Sequence, residues 1–384
     1  MRILISTRKG AGHFGPLVPF AKALLRDNHE ILVAAPRSAA PMIAAAGMDH
    51  HPIPDPPPEK RAKIFAEVDG LPTDDANARV LGDVFIRIDS RAAYPHVLDA
   101  VERWSPDVVL FEETENAAPL AAEAAGVPAV CVGISLRTAA FKFRPVIAAA
   151  LDDVRADLGL APDPQLERLL DTPYFTLTPP SMEHPGVADA DDALRFREPD
   201  ADPPRPLPAW WPNSEAPLVY VTFGSVAPTM DYFPGVYRDA IDALAMLPVR
   251  VLVTVGRDRD PRELGPLPPS VHAARWVPQA DVMPHAAAIV SHGGSGTVRA
   301  GLAAGVPMVV LPLFADQPYN ARRVAELGAG IALEPGTDGL TDAVRILIAD
   351  PSYRQAARQV AEDTRRLPTV DTATAMLRQL AQAA

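Results

Sequence analysis

Short, continuously apolar runs separated by helix-length segments constrain this chain more than any other feature. The run Arg2-Ile3-Leu4-Ile5-Ser6 comes first, then Ile31-Leu32-Val33-Ala34-Ala35 ended by Pro36, then Asp107-Val108-Val109-Leu110-Phe111 and Ala129-Val130-Cys131-Val132. Between them Leu17, Phe20, Ala21, Leu24 and Leu25 recur at helical spacing, and Ala117 to Ala125 supplies another helix. Strands apolar at every position have both faces buried, which is the mark of a parallel sheet between two layers of helices. From Asp192 to Pro217 the pattern stops: Pro199, Pro203, Pro204, Pro206, Pro208, Pro212 and Pro217 accompany an exposed-looking Trp210-Trp211 pair, and such density predicts an extended linker. The alternation restarts with strands at Leu218 to Phe223, Val249 to Val255, Ala288 to Ser291 and Met308 to Leu311. The expected architecture is α/β, two doubly wound domains facing a central cleft. They span residues 1–200 and 218–368, joined by a linker at 201–217. Residues 369–384, with Ala373, Met376, Leu377 and Leu380 at helical spacing, are expected to form a closing helix. His50 to Arg61 is expected to be a Pro-rich loop, and residues 60–104 mostly helical.

Length and charge narrow the function. A chain of 384 residues exceeds one compact core, and 48% hydrophobic residues support two well-filled ones. A net charge of -12 argues against nucleic acid as partner, because phosphate backbones are held by clustered Lys and Arg. The single cysteine, Cys131, excludes an intrachain disulfide and reads as a small buried hydrophobe in an apolar run. No run of about 18 apolar residues suggests a membrane span, and the N-terminus reads as a strand rather than a signal peptide. The expectation is a cytoplasmic protein without integral membrane association, monomeric or homodimeric.

Chemistry concentrates in the second half. Ser291-His292-Gly293-Gly294-Ser295-Gly296-Thr297 lies between a strand and a helix pattern. Glycines there let backbone N–H groups converge on an anion, the helix N-terminus adds positive potential, and His292, Ser295 and Thr297 add side-chain donors. A diphosphate is the natural ligand. Asp316-Gln317 follows the next strand, where an acid and an amide can bond vicinal sugar hydroxyls, and Trp276-Val277-Pro278-Gln279 follows an earlier one. In the first half, Gly10-Ala11-Gly12-His13-Phe14-Gly15 matches a dinucleotide fingerprint, but the second strand ends without the acid that would bind ribose. Asp189-Ala190-Asp191 and Asp258-Arg259-Asp260 match a metal-binding D-x-D pattern but sit in charged turns, and His50-His51 lacks partners at zinc spacing. Gly133-Ile134-Ser135 lacks the second glycine of a nucleophile elbow.

These pieces, with Gly301-Leu302-Ala303-Ala304-Gly305-Val306-Pro307 and Asp316-Gln317-Pro318-Tyr319-Asn320, make residues 276–320 similar to the donor-binding signature of the family-1 glycosyltransferases. Those are the enzymes of the GT-B fold, two Rossmann-like domains, and the bacterial natural-product transferases are nearest in style. The resemblance implies that Trp276 stacks on the base and Val277 meets it through its backbone, with Gln279 nearby. It implies that Gly224, Ser225, His292, Gly294, Ser295, Gly296 and Thr297 hold the diphosphate, and that Asp316 and Gln317 hold the sugar. It further implies that His13 deprotonates the acceptor, that Glu112 orients it as in a hydrolase triad, and that no metal is needed. Glu113 and Glu115 remain alternatives to Glu112, although both read more naturally as solvated loop charges. Transferases using UDP-sugars usually carry a ribose-binding glutamate eight residues after the loop histidine; here that position is Ala300. The gap favours a dTDP-sugar, carrying a hexose or deoxyhexose, over a UDP-sugar. Phe85 and Phe141, with Phe65 and Ile86, suggest a small lipophilic acceptor, and core packing explains them equally well. A sugar-nucleotide 2-epimerase of related fold and a non-catalytic helper protein are the rival readings.

Overall fold

The computed structural model describes residues 1–188, 192–199, 203–210, 215–334 and 336–383. They divide into two compact units: Met1–Leu177 with Asp189–Pro199 and Pro368–Ala384, and Thr178–Ala188 with Asp200–Leu367. Each unit is built on one parallel sheet. The first contains β1 (Arg2–Ser6), β2 (Glu30–Pro36), β3 (Asp49–Ile53), β4 (Val108–Glu112), β5 (Ala129–Val132), β6 (Tyr174–Thr176) and β7 (Leu194–Arg195) in the order β3-β2-β1-β4-β5-β6-β7. The second contains β8 (Leu218–Thr222), β9 (Arg250–Thr254), β10 (Val271–Ala274), β11 (Ala286–Ser291), β12 (Met308–Val310) and β13 (Gly330–Ala332) in the order β10-β9-β8-β11-β12-β13. The α/β expectation, with two doubly wound parallel sheets, holds.

Alternate side chains of each central strand feed opposite cores. Ile3 and Ile5 pack with Phe20, Leu24 and Leu377 on one face of the first sheet, while Leu4 packs with Val97, Leu120 and Val154 on the other. In the second unit Val219 and Val221 pack with Ile241, Leu244 and Val344. The helix Ser295–Ala303 lies against the opposite face, close enough that a Cβ on Gly301 would meet Ile289 and Met308. The helix Ala373–Ala383 belongs to the first unit, where Leu377 is fully buried. Residues 178–188, read from sequence as part of the first domain, group with the second unit instead, where the Arg323 guanidinium donates to the Ser181 carbonyl at 2.9 Å.

Edge strands are where the sequence expectations need correction. The stretch expected to be a loop from His50 begins as β3, and Pro58 opens a helix to Val68. Pro52 is tolerated because β3 is an edge strand with a single neighbour, so its missing N–H breaks no central ladder. The expected linker likewise opens with a paired segment: Leu194 and Arg195 add β7 beside β6, and Phe196 is buried against Phe20 and Phe175 at ring separations of 5.5 and 5.0 Å. Further along, Trp210 stacks on His272 at 4.4 Å and Arg205 pairs with Asp281, so the described part of this stretch is docked rather than free. Trp211 and Asp189-Ala190-Asp191 lie outside the described residues.

Gly330 shows how tightly β13 is fitted to β12: a Cβ there would stand 2.1 Å from the Met308 carbonyl oxygen. Gly330→Ala is therefore expected to cost about 1–3 kcal/mol, lowering the melting temperature by several degrees; an unchanged thermal transition would show that the strand pair can spread without strain.

Candidate functional site

In both sheets the strand order reverses beside the first strand, between β1 and β4 and between β8 and β11. Loops leaving adjacent strands at such a point diverge, and ligands gather at the carboxyl ends there. Several of the sequence-predicted residues fall at these two places. The Gly10 to Gly15 loop follows β1, and Glu112 is the last residue of β4; Gly224-Ser225 follows β8, and the His292 loop follows β11.

In the first unit the short helix Ala11–Phe14 carries His13, whose Nδ1 lies 3.0 Å from Glu112 Oε1. Glu112 is fully buried, while the His13 side chain keeps 23% of its surface exposed. Thr114 completes the arrangement, its backbone N–H donating to Glu112 Oε2 at 2.7 Å and its hydroxyl lying 2.8 Å from that oxygen. Burial works to raise the Glu112 carboxyl, but His13, the Arg8 cation and the Thr114 N–H outweigh it and hold it below the ordinary value. An ionised carboxylate only accepts hydrogen bonds, so His13 presents Nδ1–H to Glu112, with Nε2 turned away from that bond. Beside the dyad, Phe85 meets His13 edge to face at 6.0 Å from the 11-residue π-helical segment Val80–Ser90. The Arg8 guanidinium lies 3.6 Å above the Phe85 ring and pairs with buried Asp89.

The two neighbouring glutamates are not the solvated charges expected from sequence. Glu113 accepts from the Ser135 hydroxyl and, at 2.7 Å, from Tyr174. Glu115 is 5% exposed and accepts from the backbone N–H groups of Ala117 and Ala118 at the start of the helix Ala117–Ala125. Burial dominates both, raising Glu113 above its ordinary value and Glu115 to about 7. Neither touches His13, so the structure pairs Glu112 with it. The apolar setting of Cys131 also raises its thiol well above normal.

In the second unit His292 is 8% exposed and pressed between two glycines. A Cβ on Gly224 would lie 2.7 Å from His292 Nε2, and one on Gly294 would lie 2.5 Å from it. Gly224 also has φ +75, a conformation that side chains rarely adopt. Burial lowers His292 to about 4, so it is a neutral imidazole at physiological pH. Gly294 stands at the N-cap of the helix Ser295–Ala303, and no side chain caps its first turn. The Ser295 hydroxyl donates to Asp316 Oδ2 at 2.7 Å, and Asn320 Nδ2 bridges the same oxygen and the Gly293 carbonyl, both at 2.8 Å. Gln317, expected to face sugar hydroxyls, is 2% exposed, and its amide oxygen accepts from the backbone N–H groups of Leu313 and Phe314 at 2.8 and 2.9 Å. Its carbonyl therefore shapes the loop, and only its NH2 can still serve a ligand. Gln279 donates to Thr297 at 3.3 Å, which joins two of the predicted residues. Trp276 is 49% exposed, Val277 half-buried, and Ser225 and Gly296 exposed.

Phe141 is not brought to His13; it lies in the helix Arg137–Asp157 beneath the guanidinium groups of Arg137 and Arg144, at 4.8 and 5.2 Å. Asp260 of the discounted D-x-D pattern caps a short helical turn and pairs with Arg262. Among the described residues no cluster of three His, Cys, Asp or Glu is suited to a metal, and no helix is long and apolar enough to cross a membrane. Thr114, Arg8 and Asp89 carry no local motif and were not assigned from sequence.

The raised Glu115 carboxyl makes stability depend on pH. A group whose folded value exceeds its unfolded one contributes stability that is complete below the unfolded value, about 4.5, and lost as pH rises through about 7. Glu115→Gln keeps one of the two accepting oxygens, enough for one of the N–H groups, and cannot ionise. Its unfolding free energy should gain on the parent protein by about 2–3 kcal/mol between pH 5 and 8. Urea titrations at the two pH values measure this, and parallel behaviour of both proteins would refute it.

Residues 238–380 match the family of the erythromycin biosynthesis protein CIII-like C-terminal domain. The chain is 33% identical over 376 residues to the L-demethylnoviosyl transferase of Streptomyces niveus, covering 96% of this chain and 95% of that protein. It is 31% identical over 392 residues to the elloramycin glycosyltransferase of Streptomyces olivaceus, covering 96% and 94%. The structure of glycosyltransferase VinC in complex with dTDP superposes with a TM-score of 0.79 at 25% identity, covering 100% of both chains. With relatives this similar along nearly its whole length, two doubly wound sheets and a glycine-lined loop at each reversal of strand order, the chain belongs to the family-1 natural-product glycosyltransferases of the GT-B fold.

Proposed function

We propose that this glycosyltransferase moves a hexose or deoxyhexose from a dTDP-sugar to a hydroxyl of a small lipophilic acceptor, with inversion and with His13 as general base. The hydrogen bond between His13 Nδ1 and buried Glu112 carries the proposal, since it fixes the imidazole with Nε2 as proton acceptor. His13 Nε2 takes the acceptor hydroxyl proton as the oxygen forms its bond to the anomeric carbon. The bond from that carbon to the diphosphate breaks, and the leaving nucleoside diphosphate keeps the electron pair. Direct displacement of this kind inverts the anomeric centre. The backbone N–H groups at the start of the helix Ser295–Ala303, with His292 and Thr297, receive the diphosphate, and the helix N-terminus offsets the charge that develops. Asp316, oriented by Ser295 and Asn320, meets the sugar hydroxyls. Phe85, on the flank of His13, supplies an apolar wall for the acceptor.

Ala300 supports the choice of nucleotide. It lies in the helix Ser295–Ala303 and has no group to bond ribose hydroxyls, a loss that matters least for deoxyribose. VinC was solved with dTDP bound.

His13→Ala should lower kcat by roughly 10²–10⁴-fold on an O-linked acceptor while leaving dTDP binding unchanged; retained turnover in steady-state assays would remove His13 from the mechanism. In melting-shift measurements dTDP should stabilise the protein more than UDP, and Ala300→Glu should narrow the difference. A larger shift with UDP on the parent protein would overturn the nucleotide assignment.

A further inference from the structure

Strands β9 and β10 are paired in parallel, with Thr254 opposite Ala274. Two residues beyond Ala274 stands Trp276, and three beyond Thr254 stands Arg257, so two adjacent strands deliver both side chains at the same carboxyl end. The Arg257 guanidinium carbon lies 3.8 Å from the centre of the Trp276 ring, at contact distance over its face. The turn that carries Arg257 is held on both sides. Val255 N–H donates to the Ala274 carbonyl at 3.0 Å, Arg259 Nε donates to the Pro228 carbonyl at 2.7 Å, and Asp260 caps the following turn. Trp276 itself is a large apolar ring, 49% exposed.

We propose that Arg257 is a positioning residue of the nucleotide-base site, one that holds Trp276 from one ring face and leaves the opposite face for the base. The inference rests on the reading that Trp276 stacks on the base. A cation over one face of an indole is attracted by the ring quadrupole and needs no burial to act. The flat guanidinium also matches the flat ring, which an ammonium cannot do. An unsupported Trp276 would have to give up its rotamer freedom each time a nucleotide binds; with Arg257 in place the ring is already oriented, and affinity rises for that reason. A single free face also means that one base, on one side, is all the site accepts.

Titration with dTDP, followed by isothermal calorimetry, requires no acceptor and tests this directly. Arg257→Ala should weaken dTDP binding about five- to tenfold, with Arg257→Lys in between and melting temperatures unchanged, since both side chains lie at the surface. Trp276→Ala should weaken binding at least as much, and the double variant should bind no worse than Trp276→Ala alone, because Arg257 acts through the ring. Additive losses in the double variant, or unchanged or tighter binding by Arg257→Ala, would overturn the inference; tighter binding would mean that Arg257 occupies the place of the base. Unchanged binding by Trp276→Ala would instead overturn the base-stacking reading beneath it, so the two failures are separable.

Discussion

The reversal of strand order within each parallel sheet is the constraint on which the rest of this protein depends. Parallel strands can be joined only by crossovers that pass over a face of the sheet, and these have a fixed hand. A chain that winds outward from β1 through β2 to β3 and then returns to lay β4 on the other side of β1 must send the loops of β1 and β4 to opposite faces. The carboxyl ends of those two strands are therefore left open, and His13 and Glu112 occupy them. The same winding in the second unit leaves β8 and β11 open, and there Gly224 and His292 stand. One topological rule thus prepares the hydrogen-bonded His13–Glu112 pair in one unit and a glycine-lined loop at a helix N-terminus in the other.

Within the first site, partners rather than residue type decide what each acid does. Three glutamates fall within four positions, Glu112 and Glu115 buried and Glu113 partly so. Glu112 meets an imidazole, a buried arginine and a backbone N–H, which overcome the penalty of burial. Glu113 meets two hydroxyls and Glu115 two backbone N–H groups, and for these burial wins. The acid beside His13 is accordingly the one whose ionised form its surroundings favour, and an ionised partner is what holds an imidazole in a single tautomer. The second unit works the other way. His292 is kept neutral by burial between glycines, so the positive potential of that loop comes from the helix N-terminus and not from a charged side chain.

Much of this was legible in the sequence. Central strands such as Ile3 to Ile5 and Val219 to Val221 must be apolar at every position because both faces are covered, and that leaves an unmistakable run. Edge strands carry no such obligation. β3 includes His50, His51 and Pro52, and β7 is two residues long, so both read as loop or linker. The His292 loop was legible because its glycines and its helix are contiguous. The partners of Arg8 and Trp276 were not, because Asp89 and Arg257 lie far away in the chain and become neighbours only once strands and helices have packed. Gln317 follows β12 in sequence but opens the helix Gln317–Glu326, and which way its amide oxygen turned depended on two N–H groups in the preceding loop.

By itself the sequence determined the two sheets, the position of the glycine loop before the helix Ser295–Ala303, the glycine loop that carries His13 and the gap at Ala300. All of these are written in short contiguous stretches, where periodicity and glycine placement act directly on the local backbone. Only the tertiary structure decided which acid pairs with His13, that Glu115 is buried and Glu113 partly so, that residues 178–188 leave the first unit and that residues 368–384 join it. Those outcomes depend on desolvation and on contacts between distant segments, and both exist only after the chain has closed around its cores.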